Sequence, residues 1–596
     1  MEEKSFNWRP MVAIDPTDAG AFTPSPEGVH VAHFARGRMT PMSHEPAALV
    51  APEESLVTIL TSRFAAAVGS DPELRPASKP QFGHFQCNVA MRLAKQQGRN
   101  PREVAADIIA AAQVDDLCEP LEIAGPGFIN IRLKPSVLAA EAARVLADPH
   151  AGVAAASNRQ RVVIDYSAPN VAKQMHVGHL RTTIIGDCFN RVLTAVGHTV
   201  IPQNHIGDWG TQFGMLIEQI LDEGLDASTL TLADADALYK RAAAHFKDDV
   251  EFATRARARV SIFQGGDEQS LAIWRQLIEV SKQGFNQAYE RLNVKLVDAD
   301  LAGESTYNDD LPVLVRELEE SGVAVVDQGA LCVFVEGIEA PLIVRKSDGG
   351  YGYATTDLAA IRRRVNHLHA DRIIYVTDAR QGGHFAQVFA AARKAGFLPD
   401  GVEVEHVGYG MVLGDDNKPL KSRDGSAAKL VDLLDAAEEV SAPSIALAAI
   451  KYADLSSGLQ KDYVFDPARM TQTTGNTGPY LQYAHARCQQ ILRRAEAEQL
   501  PVGPLTLTEE VAEQTLALML SRFGDVVAEV AETLQPHKLC THLYETAVAY
   551  ATFYEQCPVL RSEGEVRASR LALCEATAKV LAAGLDLLGI EAPDRM

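Results

Sequence analysis

The chain is 596 residues long, 47% apolar and acidic, with 56 Lys and Arg against 78 Asp and Glu for a net charge of −22. That length supports several domains, at about 100–200 residues each, while the charge argues against a general nucleic-acid coat and leaves room for one RNA partner met on a local basic face. No apolar run approaches the ~20 residues that span a bilayer, and the N-terminus opens on Glu2 and Glu3, so no membrane association is expected and the cytoplasm is the expected location.

Residues 1–45 scatter Pro, Gly and Thr without a sustained apolar period and read as a disordered leader, with Met39 and Met42 leaving open a downstream natural start. Residues 46–150 read as a small α/β domain. Helices are predicted over Leu56–Val68 and 101–112, around a loop at 79–88, with strands within 121–131. Gly125-Pro126-Gly127 begins like a dinucleotide fingerprint, but Asn130 stands where the third glycine belongs, so that reading is rejected.

The most informative stretch is Ser167-Ala168-Pro169-Asn170-Val171-Ala172-Lys173-Gln174-Met175-His176-Val177-Gly178-His179-Leu180. The apolar run before it, from Val162 to Tyr166, predicts a buried strand, and Ile184, Ile185, Phe189, Val192, Leu193 and Val196 recur at helical spacing after it. Two imidazoles and a lysine therefore meet at a strand-to-helix turn, where free N–H groups and the helix dipole favour anions. Gly178 would let a ligand approach the backbone. The alternative is that His176 and His179 merely cap the helix. A second strand from Thr199 to Pro202 completes a βαβ unit, the unit that places nucleotides at strand carboxyl ends.

Residues 216–295 carry helical periods, with Leu238, Ala242, His245, Phe246, Val250 and Phe252 as apolar-face candidates, and read as an insertion. A β-rich segment at about 300–350 follows, with runs at 323–326, 331–335 and 342–344. Strand, helix and strand then resume at 372–377, 385–395 and 402–407. Within 158–465 this gives a Rossmann-type domain with two insertions, and 466–596 read as an all-α bundle. The eight cysteines form no CxxC pair, so neither a disulfide framework nor a structural metal is expected, and Cys87, Cys188 and Cys574 read as core thiols.

The turn at His176 and His179 resembles the HIGH signature of class I aminoacyl-tRNA synthetases. With His205-Ile206-Gly207-Asp208-Trp209-Gly210-Thr211-Gln212-Phe213-Gly214 following, it is similar to the arginyl-tRNA synthetase version. The basic, glycine-ended loop at 418–425 resembles a degenerate KMSK loop in which Arg423 stands near the place of the final lysine. Many arginyl-tRNA synthetases share that departure, and the resemblance makes Lys173 the compensating charge. The likeness spans nearly all of residues 50–596.

The resemblance implies ATP-dependent ligation of L-arginine to tRNA(Arg) through an arginyl-adenylate. It assigns Lys173, His176, His179, Lys421 and Arg423 to catalysis, and Gly178, His384, Gly410, Met411 and Val412 to ATP beside His176, His179 and Lys421. ATP is then a substrate that carries Mg²⁺, tRNA must be bound before arginine is activated, and the protein is a monomer. An arginine pocket needs a carboxylate for the guanidinium and an aromatic face. Tyr353 and Asp357, four apart on one helical face, offer both, and by resemblance Asn170, Glu304 and Gln381 join them. Asp357 could instead be a helix cap.

For tRNA, the resemblance points to Phe82 and Gln86 in the N-terminal domain, at the outer corner, and to Tyr480, Tyr483, Arg487 and Met596 in an anticodon-binding bundle. Arg493 and Arg494, with Lys461 and Arg469, would extend a basic face, or simply solvate a helix. Both tyrosines could equally be core packing. Two other readings remain, a class I synthetase of neighbouring specificity and a non-catalytic tRNA-binding paralogue. A P-loop ATPase is excluded because no GxxxxGK[ST] occurs.

Overall fold

The computed structural model describes residues 55–596 except 78, 422–426 and 508–509 and the side chains of Pro80 and Thr211. The expected leader, 1–45, and Arg423 lie outside the described residues.

The first helix, Leu56–Val68, starts where the Ser55 hydroxyl accepts the Thr58 N–H at 3.1 Å and stops at Gly69, φ 70°. It accompanies a four-stranded antiparallel sheet in the order Leu74–Pro76, Phe85–Cys87, Phe128–Ile131, Glu122–Ala124. Gly125-Pro126-Gly127 is the hairpin turn between the last two in sequence, with Ala124 opposite Phe128. It is not a strand-to-helix turn, in keeping with the rejected fingerprint.

The central sheet is parallel throughout. Its strands are β1 (Arg161–Asp165), β2 (Thr199–Gln203), β3 (Arg372–Asp378) and β4 (Glu403–Tyr409), in the order β4-β3-β1-β2. Since β1 is followed by β2 on one side and β3 joins on the other, the strand order reverses between β1 and β3. Open α/β sheets bind ligands at the carboxyl ends beside such a switch point. The loop 167–176 leaves β1 there, and Ala379–Gln381 leaves β3.

Helix α1 (Val177–Ala195) links β1 to β2 and is buried at every position from His179 to Leu193. Polar residues are therefore buried beside the expected apolar ones, and each needs a partner. Thr182 donates to the Val376 carbonyl at 2.6 Å and Arg181 pairs with Asp454 at 3.0 Å. Arg191 pairs with Asp187 at 2.7 Å and with Asp586 at 2.9 Å, while Lys451 donates to the Gly589 carbonyl at 3.0 Å. Burial pulls the Lys451 ammonium down to about 8. This hub ties α1 to α6 (Pro443–Ser456) and to the last helix, Gly564–Leu587. Removing one partner of such a pair costs about 3–5 kcal/mol, because the other charge is left buried.

The insertion contains helix Thr211–Glu223, α2 (Leu232–Asp248), helix Val250–Gln264 and α3 (Glu268–Arg291). Leu238, Ala242 and Phe252 are fully buried as expected, and His245 and Phe246 half so. Val250 corrects the expectation. It is 81% exposed because Asp249 caps a new helix, accepting the N–H groups of Glu251 and Phe252, so the period restarts there. The β-rich segment is an antiparallel sheet of Ala324–Asp327, Ala330–Val333 and Leu342–Arg345.

Among the described residues helices alone follow from Pro467 onward, and Gly478 sits so closely on α6 that a Cβ there would lie 2.3 Å from the Ala448 carbonyl oxygen. All eight cysteines are buried and free. No helix among the described residues is long and apolar enough to cross a membrane.

Candidate active site

His176 is the N-cap of α1 and His179 its N3 residue, and the two make a reciprocal capping box. The Nδ1 of His176 accepts the Gly178 N–H at 3.1 Å, and the Nδ1 of His179 accepts the His176 N–H at 3.0 Å. The capping alternative is thus what the structure shows, and the caps fix which ring nitrogen of each histidine is left to act as a donor. With each Nδ1 accepting, the proton of each neutral ring sits on Nε2. The rings stack with centroids 3.9 Å apart. A Cβ on Gly178 would come 2.9 Å from the His176 ring, so the room that glycine leaves is taken by the imidazole itself.

Burial, with His176 and Lys173 adding, holds His179 down to about 3. Burial and then Lys173 lower His176. The pair offers two neutral N–H donors, and the full positive charge on this side comes from Lys173. Its ammonium lies 4.0 Å from the ring centroid of Tyr239 on α2, a cation–π contact that keeps it beside the turn.

The basic loop is stitched to the same turn. Its incoming leg pairs Leu420 N–H with the Val412 carbonyl at 3.0 Å. Its return leg accepts the Val177 N–H on the Ala428 carbonyl at 2.8 Å and gives the Leu430 N–H to Met175 at 2.9 Å. Lys421 is exposed on the incoming leg, opposite Ala427. Gly410 and Met411 lie on Asp462, whose carboxylate accepts the Met411 N–H at 2.6 Å, and a Cβ on Gly410 would strike it. Val412 is buried.

Carboxylates gather on the other side of the switch point. Helix α4 (Tyr353–Asn366) is capped by Gly352, so Asp357 is not its cap. Asp357 accepts a 2.7 Å hydrogen bond from His384 Nε2, on α5 (Gly382–Lys394), and this raises the imidazole pKa. Glu304 is pushed up to about 7 by burial and by the facing carboxylates of Asp208 and Asp357. Tyr353 is 78% exposed at the start of α4, and partial desolvation of its phenol, with Glu304 and then Tyr239 adding, raises its pKa.

Asn170 lies against Gly207, where a Cβ would sit 2.6 Å from its Oδ1. Gln381 is exposed in the turn after β3. Such a cluster of self-repelling carboxylates favours a cationic ligand and disfavours a neutral one.

Two residues escaped the sequence reading. Asp208 lay in a quoted motif without a role. Its carboxylate accepts the Ser305 N–H at 2.9 Å and the Ser305 hydroxyl at 2.5 Å, and it leaves no room for a side chain on Gly303, fixing the residues on either side of Glu304. Tyr239 carried no local signal at all, since only the packing of α2 brings it to Lys173.

The remaining candidates are separated from this centre. Phe82 ends a 3₁₀ turn, and Gln86 donates to Asn130 Oδ1 at 2.8 Å. On helix α7 (Gly478–Ala497), Tyr480 is half-buried against Tyr544, whereas Tyr483 is 39% exposed and carries Arg487, whose guanidinium donates to its hydroxyl at 2.6 Å. Arg493 donates to the Asp594 carbonyl of the C-terminal tail at 2.8 Å. Met596 is 49% exposed.

The parallel sheet, the histidine turn and the stitched basic loop define a class I tRNA synthetase catalytic domain. Accordingly, residues 141–467 match the family described as tRNA synthetases class I (R), catalytic domain, residues 54–133 the arginyl tRNA synthetase N terminal domain, and residues 481–596 the DALR anticodon binding domain. An arginine–tRNA ligase of Cutibacterium acnes is 65% identical over 91% of this chain and 100% of that protein, and one from Thermobifida fusca 48% over 90% and 99%. The crystal structure of arginyl-tRNA synthetase from Plasmodium falciparum aligns at a TM-score of 0.76 and 29% identity, covering 90% of this chain and 98% of that one.

The chain belongs to the arginyl-tRNA synthetase family. Its reaction is the ATP-dependent joining of L-arginine to tRNA.

Proposed function

We propose that the reaction runs through an arginyl-adenylate made at the carboxyl edge of β1 and β3, followed by transfer to the terminal ribose hydroxyl of tRNA(Arg). Attack of the arginine carboxylate on the α-phosphate, with pyrophosphate leaving in line, needs position and stabilisation of spreading negative charge more than a protein nucleophile. The Nε2–H groups of His176 and His179 donate to that charge, Lys173 supplies a cation from the β1 side, and Lys421 and Arg423 supply cations from the basic loop. Gly410, Met411, Val412 and His384 border the nucleotide beside the histidine turn, where Gly178 makes room for the His176 ring, and Mg²⁺ enters on the ATP phosphates. Asp357 and Glu304 take the guanidinium under Tyr353, while Asn170 and Gln381 hold the α-amino and carboxylate groups. No structural metal takes part.

The observation that carries this reading is the juxtaposition at one switch point of a neutral, N–H-donating histidine pair and a self-repelling carboxylate pocket. It favours a cationic amino acid over the uncharged substrates of neighbouring class I enzymes. The N-terminal domain, through Phe82 and Gln86, meets the outer corner of the tRNA. The bundle meets the anticodon through Tyr480, Tyr483, Arg487 and Met596, using aromatic stacking beside a guanidinium. The protein acts as a cytoplasmic monomer, with tRNA bound before arginine is activated.

Pyrophosphate exchange with a panel of amino acids, with and without tRNA, tests this. Exchange with arginine alone among the amino acids, and only in the presence of tRNA, is expected. Exchange with another amino acid, or none at all, overturns it.

A further inference from the structure

The loop bearing Asn170 and Lys173 follows an unusual path. Ser167, Ala168 and Ala172 have left-handed backbone, at φ 73°, 47° and 59°. Side chains with a Cβ disfavour that region, so three such residues in six positions persist only where the surroundings over-determine them. The surroundings come largely from one face of α3, in the insertion. Leu277, Ser281, Phe285 and Tyr289 recur every four residues on its buried side.

At the far end of the loop, the Ser281 hydroxyl accepts the Ala172 N–H at 2.9 Å and donates to Leu277 at 2.7 Å. At the near end, Tyr289 Oη is 2.8 Å from Ser167 Oγ and accepts from Asn204 Nδ2 at 2.8 Å, while Asn204 Oδ1 accepts the Ala168 N–H at 3.0 Å. Ser167 Oγ in turn lies 3.0 Å from Thr183 Oγ1, which is 2.6 Å from the His179 carbonyl.

Each hydroxyl has one proton, and a carbonyl only accepts. Thr183 has one proton for two acceptors, Ser167 Oγ and the His179 carbonyl, while the bond between Tyr289 and Ser167 can run either way. The connected chain links Asn204 and Tyr289, through Ser167 and Thr183, to the histidine turn. All five side chains are buried, Ser281 included, so the chain is shielded from bulk solvent.

We propose that α3 is the positioning element of this loop, and that Tyr289 and Ser281 are positioning residues for the reaction. They hold the left-handed path that presents Asn170 to arginine and Lys173 to ATP. This rests on the roles given to Asn170 and Lys173 above. Neither α3 residue touches substrate, and each acts through the backbone of the loop.

Tyr289→Phe removes one oxygen and keeps the ring. Arginine-dependent pyrophosphate exchange, measured in the presence of tRNA and well below the melting temperature, is expected to lose about ten-fold in kcat/KM for both arginine and ATP, the scale of one buried hydrogen bond. If the loss comes from the backbone path, Ala168→Gly should restore a good part of it, since glycine takes positive φ without strain. Ser281→Ala, paired with Ala172→Gly, makes the same test independently and carries it alone if Tyr289→Phe does not fold.

Folded Tyr289→Phe or Ser281→Ala with wild-type exchange overturns the proposal. So does a loss that glycine leaves untouched, which would reduce α3 to general packing. Lys173→Ala and Asn170→Ala, run alongside, keep the two readings apart. If those lose nothing, the assigned roles of the loop fail, whatever the α3 variants do.

Discussion

The histidine turn and the carboxylate pocket are built by opposite routes. At the turn, two residues three apart cap one helix, and the backbone itself sets which nitrogen of each ring carries the proton. At the pocket, Asp208, Glu304, Asp357 and His384 come from four separate segments and are set by one another. Burial moves the pKa values of the two regions in opposite directions and favours the neutral form in both. It keeps imidazoles neutral at the turn and brings Glu304 to the edge of neutrality in the pocket. His179, held down to about 3, thus stays neutral near pH 7, whereas Glu304, pushed up to about 7, is poised to respond to pH.

The comparison breaks most decisively at His179. His179→Ala should lower kcat of arginine-dependent exchange by about 10²–10³-fold, the scale of one lost donor to developing charge, with little change in the KM for arginine. A mutant with wild-type kcat and only a raised arginine KM would merge the two regions into one.

Next comes the cation. Lys173→Ala is expected to lose about 10²-fold in exchange, and adding Arg423→Lys should restore only part, because the two charges reach the phosphates from different sides. Near-normal exchange in Lys173→Ala removes the compensation argument.

On the pocket side, Asp357→Asn keeps size and one acceptor but removes charge. It should cost about 1.5–3 kcal/mol in arginine recognition, with a smaller change in the ATP parameters through its partner His384. Citrulline, a neutral urea of nearly the same shape, sharpens the point. The ratio of kcat/KM for arginine over citrulline should collapse in the mutant, and an unchanged ratio would sink the assignment.

The smallest effect is the pH response of Glu304. Burial and the facing carboxylates of Asp208 and Asp357 push its carboxyl up to about 7. A guanidinium favours the ionised form, so below pH 7 arginine binds against a proton. The arginine KM should therefore rise on acidification, by at most about ten-fold per unit, and flatten above pH 8. Kinetics from pH 6 to 8.5 check this. Glu304→Gln should bind arginine more weakly and lose the slope, and a slope that survives assigns the titration to another group, His384 first among them.

The sequence by itself determined the local elements: β1, the helix after it, Leu56–Val68 and the turn at His176. Their signals are apolar periods and caps, which act over a few residues. Even so, the period failed at Val250, because a cap at Asp249 restarts the helix, and it gave no sign that α1 is buried on all sides with its charges paired to Asp454, Asp586 and Lys451.

The motif likeness placed Glu304 and Asp357 in one pocket, but not the hydrogen bond from His384 to Asp357, the anchoring of Ser305 by Asp208, or Tyr239 under Lys173. Only the tertiary structure decided those. Each joins residues tens of positions apart, brought together by the strand reversal and the packing of the insertion. The desolvation that sets their charges belongs to everything packed around them, not to any residue's neighbours in the chain.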